Sequence, residues 1–213
     1  MTQETSSVVL TVAHTKGGVG KSTLAWHLAH SLINKKTLVI DLDFQQTLYY
    51  LNLMGGGLLT VIQPQNPSDL IGIIENARSQ YDFVIIDVGG FDSDINRTAL
   101  RYSDKILIPV SDSVTEVLGF KTFREILKEI STSADFYIVL NNIHPNTRNF
   151  DVIREAIRDT NIVLLNTVIR SRKVYRATMG HGKSVFDTAM LAAREEIEGV
   201  RDELLQGVNH GNR

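Results

Sequence analysis

The chain has 213 residues, 43% of them hydrophobic and 22% charged, with a formal net charge of −2 and no cysteine. This length and composition fit one globular domain over residues 1–213 and exclude a disordered chain. The missing cysteines exclude disulfides, thiolate nucleophiles, iron–sulfur ligation and thiolate zinc sites, and the near-neutral charge excludes a uniformly basic surface but not a local basic patch.

The opening residues, MTQETSS, carry neither the basic start nor the apolar run of a secretory signal. No later stretch approaches the roughly 18 consecutive apolar residues of a membrane span, so a cytoplasmic protein is expected. A strand is predicted at 8–14 (VVLTVAH), followed by a glycine-rich loop and a helix, then a strand at 37–43 (TLVIDLD). The run Gly55-Gly56-Gly57 reads as a surface loop, because no Lys-Ser/Thr follows it. Leu70, Ile73, Ile74 and Ala77 form a helical stripe ahead of strands at 83–89 (FVIIDVG) and 105–110 (KILIPV). A second stripe, Val114, Val117, Leu118, Phe123, Leu127 and Ile130, precedes strands at 136–142 (FYIVLNN) and around 162–169 (IVLLNTVI). Phe186, Met190, Ala193, Ile197, Val200 and Leu204 predict a final helix.

These strand runs are almost continuously apolar, which marks strands buried on both faces. Strand followed by helix, repeated, predicts a doubly wound, mostly parallel α/β sheet with helices on both faces. Ligands in such sheets bind beyond the carboxyl ends of the strands. Polar residues gather there: Thr15 to Ser22, Asp41, Asp43, Asp87 and Asn141-Asn142.

The stretch VVLTVAHTKGGVGKST at 8–23 nearly spells a phosphate-binding loop, but the usual first glycine position holds Thr15, followed by a second lysine, Lys16. Gly17, Gly18 and Gly20 allow the backbone to curl its N–H groups toward phosphate oxygens at a helix N-terminus. Lys21 is placed for the terminal phosphates and the Ser22 hydroxyl for Mg²⁺. Asp87, ending an apolar strand, is the acid expected near that ion.

TKGGVGKST at 15–23 resembles the deviant Walker-type loop of the ParA/MinD superfamily, IDLDFQQT at 40–47 its second motif, and YDFVIIDVGG at 81–90 its third. The segments IPVSDSVTEVLGF and IRSRKVYRATMGHGKSVFD extend the resemblance toward short plasmid-partition ParA proteins that lack an N-terminal DNA-binding domain. The resemblance implies a P-loop NTPase-like fold, ATP and Mg²⁺ as ligands, and slow hydrolysis stimulated by a ParB-like or centromere-binding partner. It makes Lys16 the signature lysine, which crosses a dimer interface to phosphate on the other subunit. It implies nucleotide contacts from Lys16, Gly17, Gly18, Val19, Gly20, Lys21, Ser22 and Thr23, with Asn141 at the adenine. Asp43 would orient the attacking water, and Asp41 would support magnesium beside Ser22 and Asp87. Asp41 and Asp43 stand two apart on a predicted strand and so share a face. Phe44 and Val88-Gly89-Gly90 depart from the family's common residues.

Between 170 and 183 stand Arg170, Arg172, Lys173, Arg176 and Lys183 with no acid. Such a patch suits non-specific binding to a DNA backbone, and the resemblance implies the same of the ATP dimer. No room precedes the loop for a helix-turn-helix, so operator reading is not expected. Five acids against two arginines over 194–203 disfavour a membrane-surface final helix of the MinD kind. A membrane-cycling regulator is therefore the alternative function, ahead of a small-molecule-activating enzyme. His27 and His30 share a helix face without partners for a metal and read as structural.

Overall fold

The computed structural model describes residues 7–90 and 92–206. The opening segment read for an export signal, and the side chains of Val114, Val117 and Leu118, lie outside the described residues. The elements run β1 (Val8–Val12), α1 (Lys21–Ser31), β2 (Thr37–Asp41), α2 (Thr47–Met54), β3 (Thr60–Ile62), α3 (Pro67–Gln80), β4 (Phe83–Asp87) and α4 (Asp94–Tyr102). They continue with β5 (Lys105–Val110), α5 (Val114–Glu129), β6 (Asp135–Ile143), α6 (Asp151–Ile157), β7 (Val163–Arg170), α7 (Lys173–Met179), a 3₁₀ turn (Val185–Asp187) and α8 (Leu191–Gln206).

The described strands form one seven-stranded sheet in the order β3-β2-β4-β1-β5-β6-β7, parallel at every pairing. Alternate strand residues face opposite sides. Val9, Ile40 and Ile86 meet buried residues of α3, α4, α5 and α6, whereas Leu10, Val39 and Ile85 meet those of α1, α7 and α8. Helix α1 is buried almost all round, including Leu24, Trp26 and Leu28, because it lies between the sheet and other helices. Trp26 satisfies its indole N–H on the Lys183 carbonyl at 2.8 Å.

Helix α8 covers the edge of the sheet at β7. Glu203 accepts the backbone N–H groups of Asn166 and Thr167, both at 2.7 Å, and Glu196 accepts that of Arg170 at 3.1 Å. Those backbone donors would otherwise form an open edge. Glu196 and Glu203 of this helix thus have an internal purpose, and its stripe of Ala193, Ile197, Val200 and Leu204 is buried.

Four expectations need correction. β2 ends at Asp41, so Asp43 lies past the strand. β3 was not foreseen; it is an edge strand of three residues, too short for a periodic signal. The final helix begins only at Leu191: Phe186 belongs to the 3₁₀ turn and Met190 is exposed. Gly55 is not a free loop residue, because it caps α2 and a Cβ there would stand 2.1 Å from the Gly182 carbonyl oxygen.

His27 ties α1 to α7 and the 3₁₀ turn. Its Nδ1 accepts the Val185 N–H at 3.3 Å, which leaves the proton on Nε2 to donate to the Tyr175 carbonyl at 3.2 Å. Burial, only partly offset by the Tyr175 carbonyl, pushes its pKa down to about 4. Unfolded chains take up this proton near pH 6.5, so between pH 6.5 and 4 the unfolded state binds more protons and stability falls with falling pH. In urea unfolding at pH 7 and pH 5, His27→Gln should show a shallower loss than the parent chain, by about 1 kcal/mol or more.

Candidate functional site

The loop after β1 sits at the centre of the sheet, where successive strands have been laid to either side. Gly18 and Gly20 adopt φ of +79° and +95°, which side chains resist. Gly20 is also short of space, since a Cβ there would stand 2.3 Å from the Asn141 side-chain nitrogen. Helix α1 then begins at Lys21 with no side-chain cap and no acid in its first turn. Its first N–H groups are left to be satisfied by an anion or by water.

The carboxylates come from neighbouring strand ends. Val12 and Asp41 both stand opposite Asp87 in the sheet register, so the ends of β1, β2 and β4 lie on one rung. Asp87 is fully buried, and neither carboxylate oxygen has a hydrogen-bond partner. Burial pushes its pKa up to about 8; Ser22 and Lys21 pull the other way, and Asp41 and Asp43 add to the rise. The Ser22 hydroxyl lies near Asp87 without the geometry of a hydrogen bond.

Asp41 is placed differently. Its Oδ1 accepts the Asp43 N–H at 3.1 Å, and its Oδ2 accepts those of Leu48 and Tyr49 at 2.9 and 3.1 Å. It therefore caps α2, a role that sequence reading missed. An acid six residues before a predicted helix would have been the signal, but α2 itself was not predicted. Burial raises its pKa against those three donors. Asp43 is half-buried and accepts the Gln45 N–H at 3.0 Å. Phe44 beside it is 88% exposed.

The two lysines of the loop have different settings. Lys21 is 7% exposed, donates to the Lys16 carbonyl at 3.2 Å, and is held below the usual lysine range by burial, which outweighs Asp87 and Asp43. Lys16 is half-buried, and its ammonium reaches out to Thr115 Oγ1 at 3.4 Å at the start of α5.

Asn141 donates its amide to the Val19 carbonyl at 2.7 Å, joining β6 to the loop. Its side-chain oxygen remains an acceptor. Asn141, Thr23 and Gly18 line a cavity beside the loop together with Arg170, Arg172 and Arg176. The structure divides the basic segment. Arg170 donates to the His144 and Thr147 carbonyls. Arg172 pairs with Glu196 at 2.7 Å, which also accepts the Tyr175 hydroxyl at 2.7 Å. Among the described residues, Lys173, Arg176 and Lys183 are exposed and carry no ion pair.

The arrangement offers a cradle of backbone donors, one buried lysine and an unsatisfied buried carboxylate: equipment for holding phosphates and a hard cation. The profile of the family described as CobQ/CobB/MinD/ParA nucleotide binding domain matches residues 10–185. The Maintenance of carboxysome distribution protein A of Halothiobacillus neapolitanus is 26% identical over 206 residues, covering 92% of this chain and 95% of that protein. Apo McdA of Cyanothece superposes with a TM-score of 0.77 at 17% identity, over 93% of this chain and 99% of that one. MinD of Pyrococcus horikoshii, complexed with Mg-ADP, does so with 0.73 at 15% identity, over 97% and 100%. The chain belongs to the CobQ/CobB/MinD/ParA nucleotide-binding family, as an ATPase of the ParA/MinD type.

Proposed function

We propose that this protein is a partition or positioning ATPase that dimerises around ATP, binds DNA without sequence preference as the dimer, and is released when a partner stimulates hydrolysis. The observation that carries this reading is the pair of lysines in one loop. Lys21 is buried within its own site, while Lys16 is only half-buried and carries its ammonium away from Lys21, to Thr115 at the start of α5. A second phosphate-binding lysine pointed outward serves a neighbouring subunit better than its own.

The residues present fit Mg²⁺. The buried, donor-free carboxylate of Asp87 has unused acceptor capacity, and the Ser22 hydroxyl lies close by. Among the described residues no three acids or histidines form a ready cage, as suits an ion that takes one or two protein groups and completes its shell with phosphates and water. Ser22 and Asp87 would hold it, with Asp41 supporting through water. When bound, the ion would neutralise charge on the β- and γ-phosphates.

The loop N–H groups and the start of α1 bind the phosphates of ATP, and Lys21 neutralises the terminal ones. Asp43, fixed through its N–H by Asp41, orients the attacking water, and hydrolysis yields ADP and phosphate. Such chemistry asks mainly for positioning and charge neutralisation. The exposed Lys173, Arg176 and Lys183 supply the cations for DNA; Arg170 and Arg172 hold the structure beneath them. The relative named for carboxysome distribution supports a positioning role. The membrane alternative loses support because the apolar stripe of α8 is buried.

Three outcomes test this reading. Lys16→Ala should bind ATP within about threefold of the parent yet fail to dimerise with it in sedimentation velocity; normal dimerisation would refute the cross-subunit role. Asp43→Ala should lower single-turnover hydrolysis by roughly a hundredfold or more while ATP binding persists, and unchanged turnover would show that another group positions the water. Reversing Lys173, Arg176 and Lys183 to Glu should abolish ATP-dependent DNA binding measured by fluorescence anisotropy. For the parent dimer with six contacts, log affinity should fall with log salt at a slope of about −5.

A further inference from the structure

We infer that His14 is a positioning residue for Lys16: its imidazole holds the Lys16 peptide so that the lysine side chain leaves the loop in the direction of a second subunit. The inference rests on the dimer reading above and adds to it a residue with no phosphate contact of its own.

His14 lies two residues past β1 and is 1% exposed. Its Nδ1 accepts the Lys16 N–H at 3.0 Å. That nitrogen must therefore be bare, and the proton sits on Nε2, which is buried with no partner. An unpaired buried N–H is unfavourable, so an apolar ring would be the better tenant if filling space were the only task. What the imidazole adds over such a ring is the acceptor.

The Lys16 backbone is held on both sides of its Cα, its N–H by His14 and its carbonyl by the Lys21 ammonium at 3.2 Å. Lys21 is also the lysine placed for phosphate, so its grip on Lys16 competes with a ligand. The bond from His14 does not. The imidazole is itself fixed: it stacks on Phe123 with centroids 5.5 Å apart and planes 18° from parallel. Gly119 closes the remaining side, where a Cβ would stand 3.5 Å from His14 Cε1 and 3.6 Å from Lys16 Cδ. Burial first, then Lys21 and Lys16, push the His14 pKa down to about 4, so Nδ1 stays an acceptor at neutral pH.

The test compares His14→Phe, which keeps a ring against Phe123 without the acceptor, with His14→Asn, whose Oδ1 occupies the same position on Cγ as Nδ1. ATP affinity is measured with a fluorescent ATP analogue, ATP-dependent dimerisation by sedimentation velocity, and folding by thermal midpoint. His14→Phe should keep ATP affinity within about threefold and weaken dimerisation roughly tenfold or more, the scale of one lost hydrogen bond. His14→Asn should restore dimerisation to near the parent value. If His14→Phe does not fold, His14→Leu replaces it as the acceptor-free variant. Parental dimerisation by a folded acceptor-free variant, or equal failure of His14→Asn, overturns the inference. Lys16→Ala run alongside separates the two claims: if it dimerises normally, or the parent chain does not dimerise with ATP, the dimer reading falls and this inference with it. If Lys16 is required and the acceptor is not, the inference falls alone.

Discussion

At the centre of this molecule a carboxylate has been taken wholly out of water and given no donor. Asp87 ends β4, an interior strand of the parallel sheet, with β1 on one side and β2 on the other. Its desolvation is the cost around which the neighbouring residues are arranged. Lys21 is buried within its field, and each holds the other closer to its charged form than burial alone would allow. Asp41, on the same rung, is kept in place by three backbone donors instead of a cation. Two acids with nearly the same strand-end position thus differ in chemistry. One has its acceptors engaged by a helix start and the other has them open, which is why a cation suits Asp87.

The basic segment illustrates how charge counts and charge placement diverge. Five cations in fourteen residues look like one patch in the sequence. Folding turns two of them inward, where Arg172 and Glu196 form a part-buried pair beside Tyr175 and Arg170 ties down the 144–147 turn. The acids of α8 divide likewise, with Glu196 and Glu203 serving the edge of β7. Neither segment presents the uniform charged face that its composition suggests.

Six of the seven described strands and the glycine-rich loop after β1 were legible in the sequence, because buried parallel strands are long apolar runs and the loop needs glycine at Gly18 and Gly20 for backbone reasons. β3 was not, since three residues at an edge leave no periodic trace. The start of α8 was misplaced because Phe186 and Met190 continue its helical spacing, although the capping box at Ser184 and Asp187 closes a separate turn first. The capping role of Asp41 and the internal pairing of Arg172 depend on partners 7 and 24 residues away. Spacing along the chain does not reveal such partners.

The common rung at the ends of β1, β2 and β4 has a kinetic consequence. Val12, Asp41 and Asp87 are brought level only by long-range parallel pairing, the kind of contact that closes late in folding. Among the described residues no single strand or helix contains the site, so it has no stability apart from the sheet. Partial unfolding that separates β4 from either neighbour would disperse the loop, the cap and the buried carboxylate together. The site should therefore be gained and lost as a unit with the central sheet, the slowest-exchanging part of such a fold.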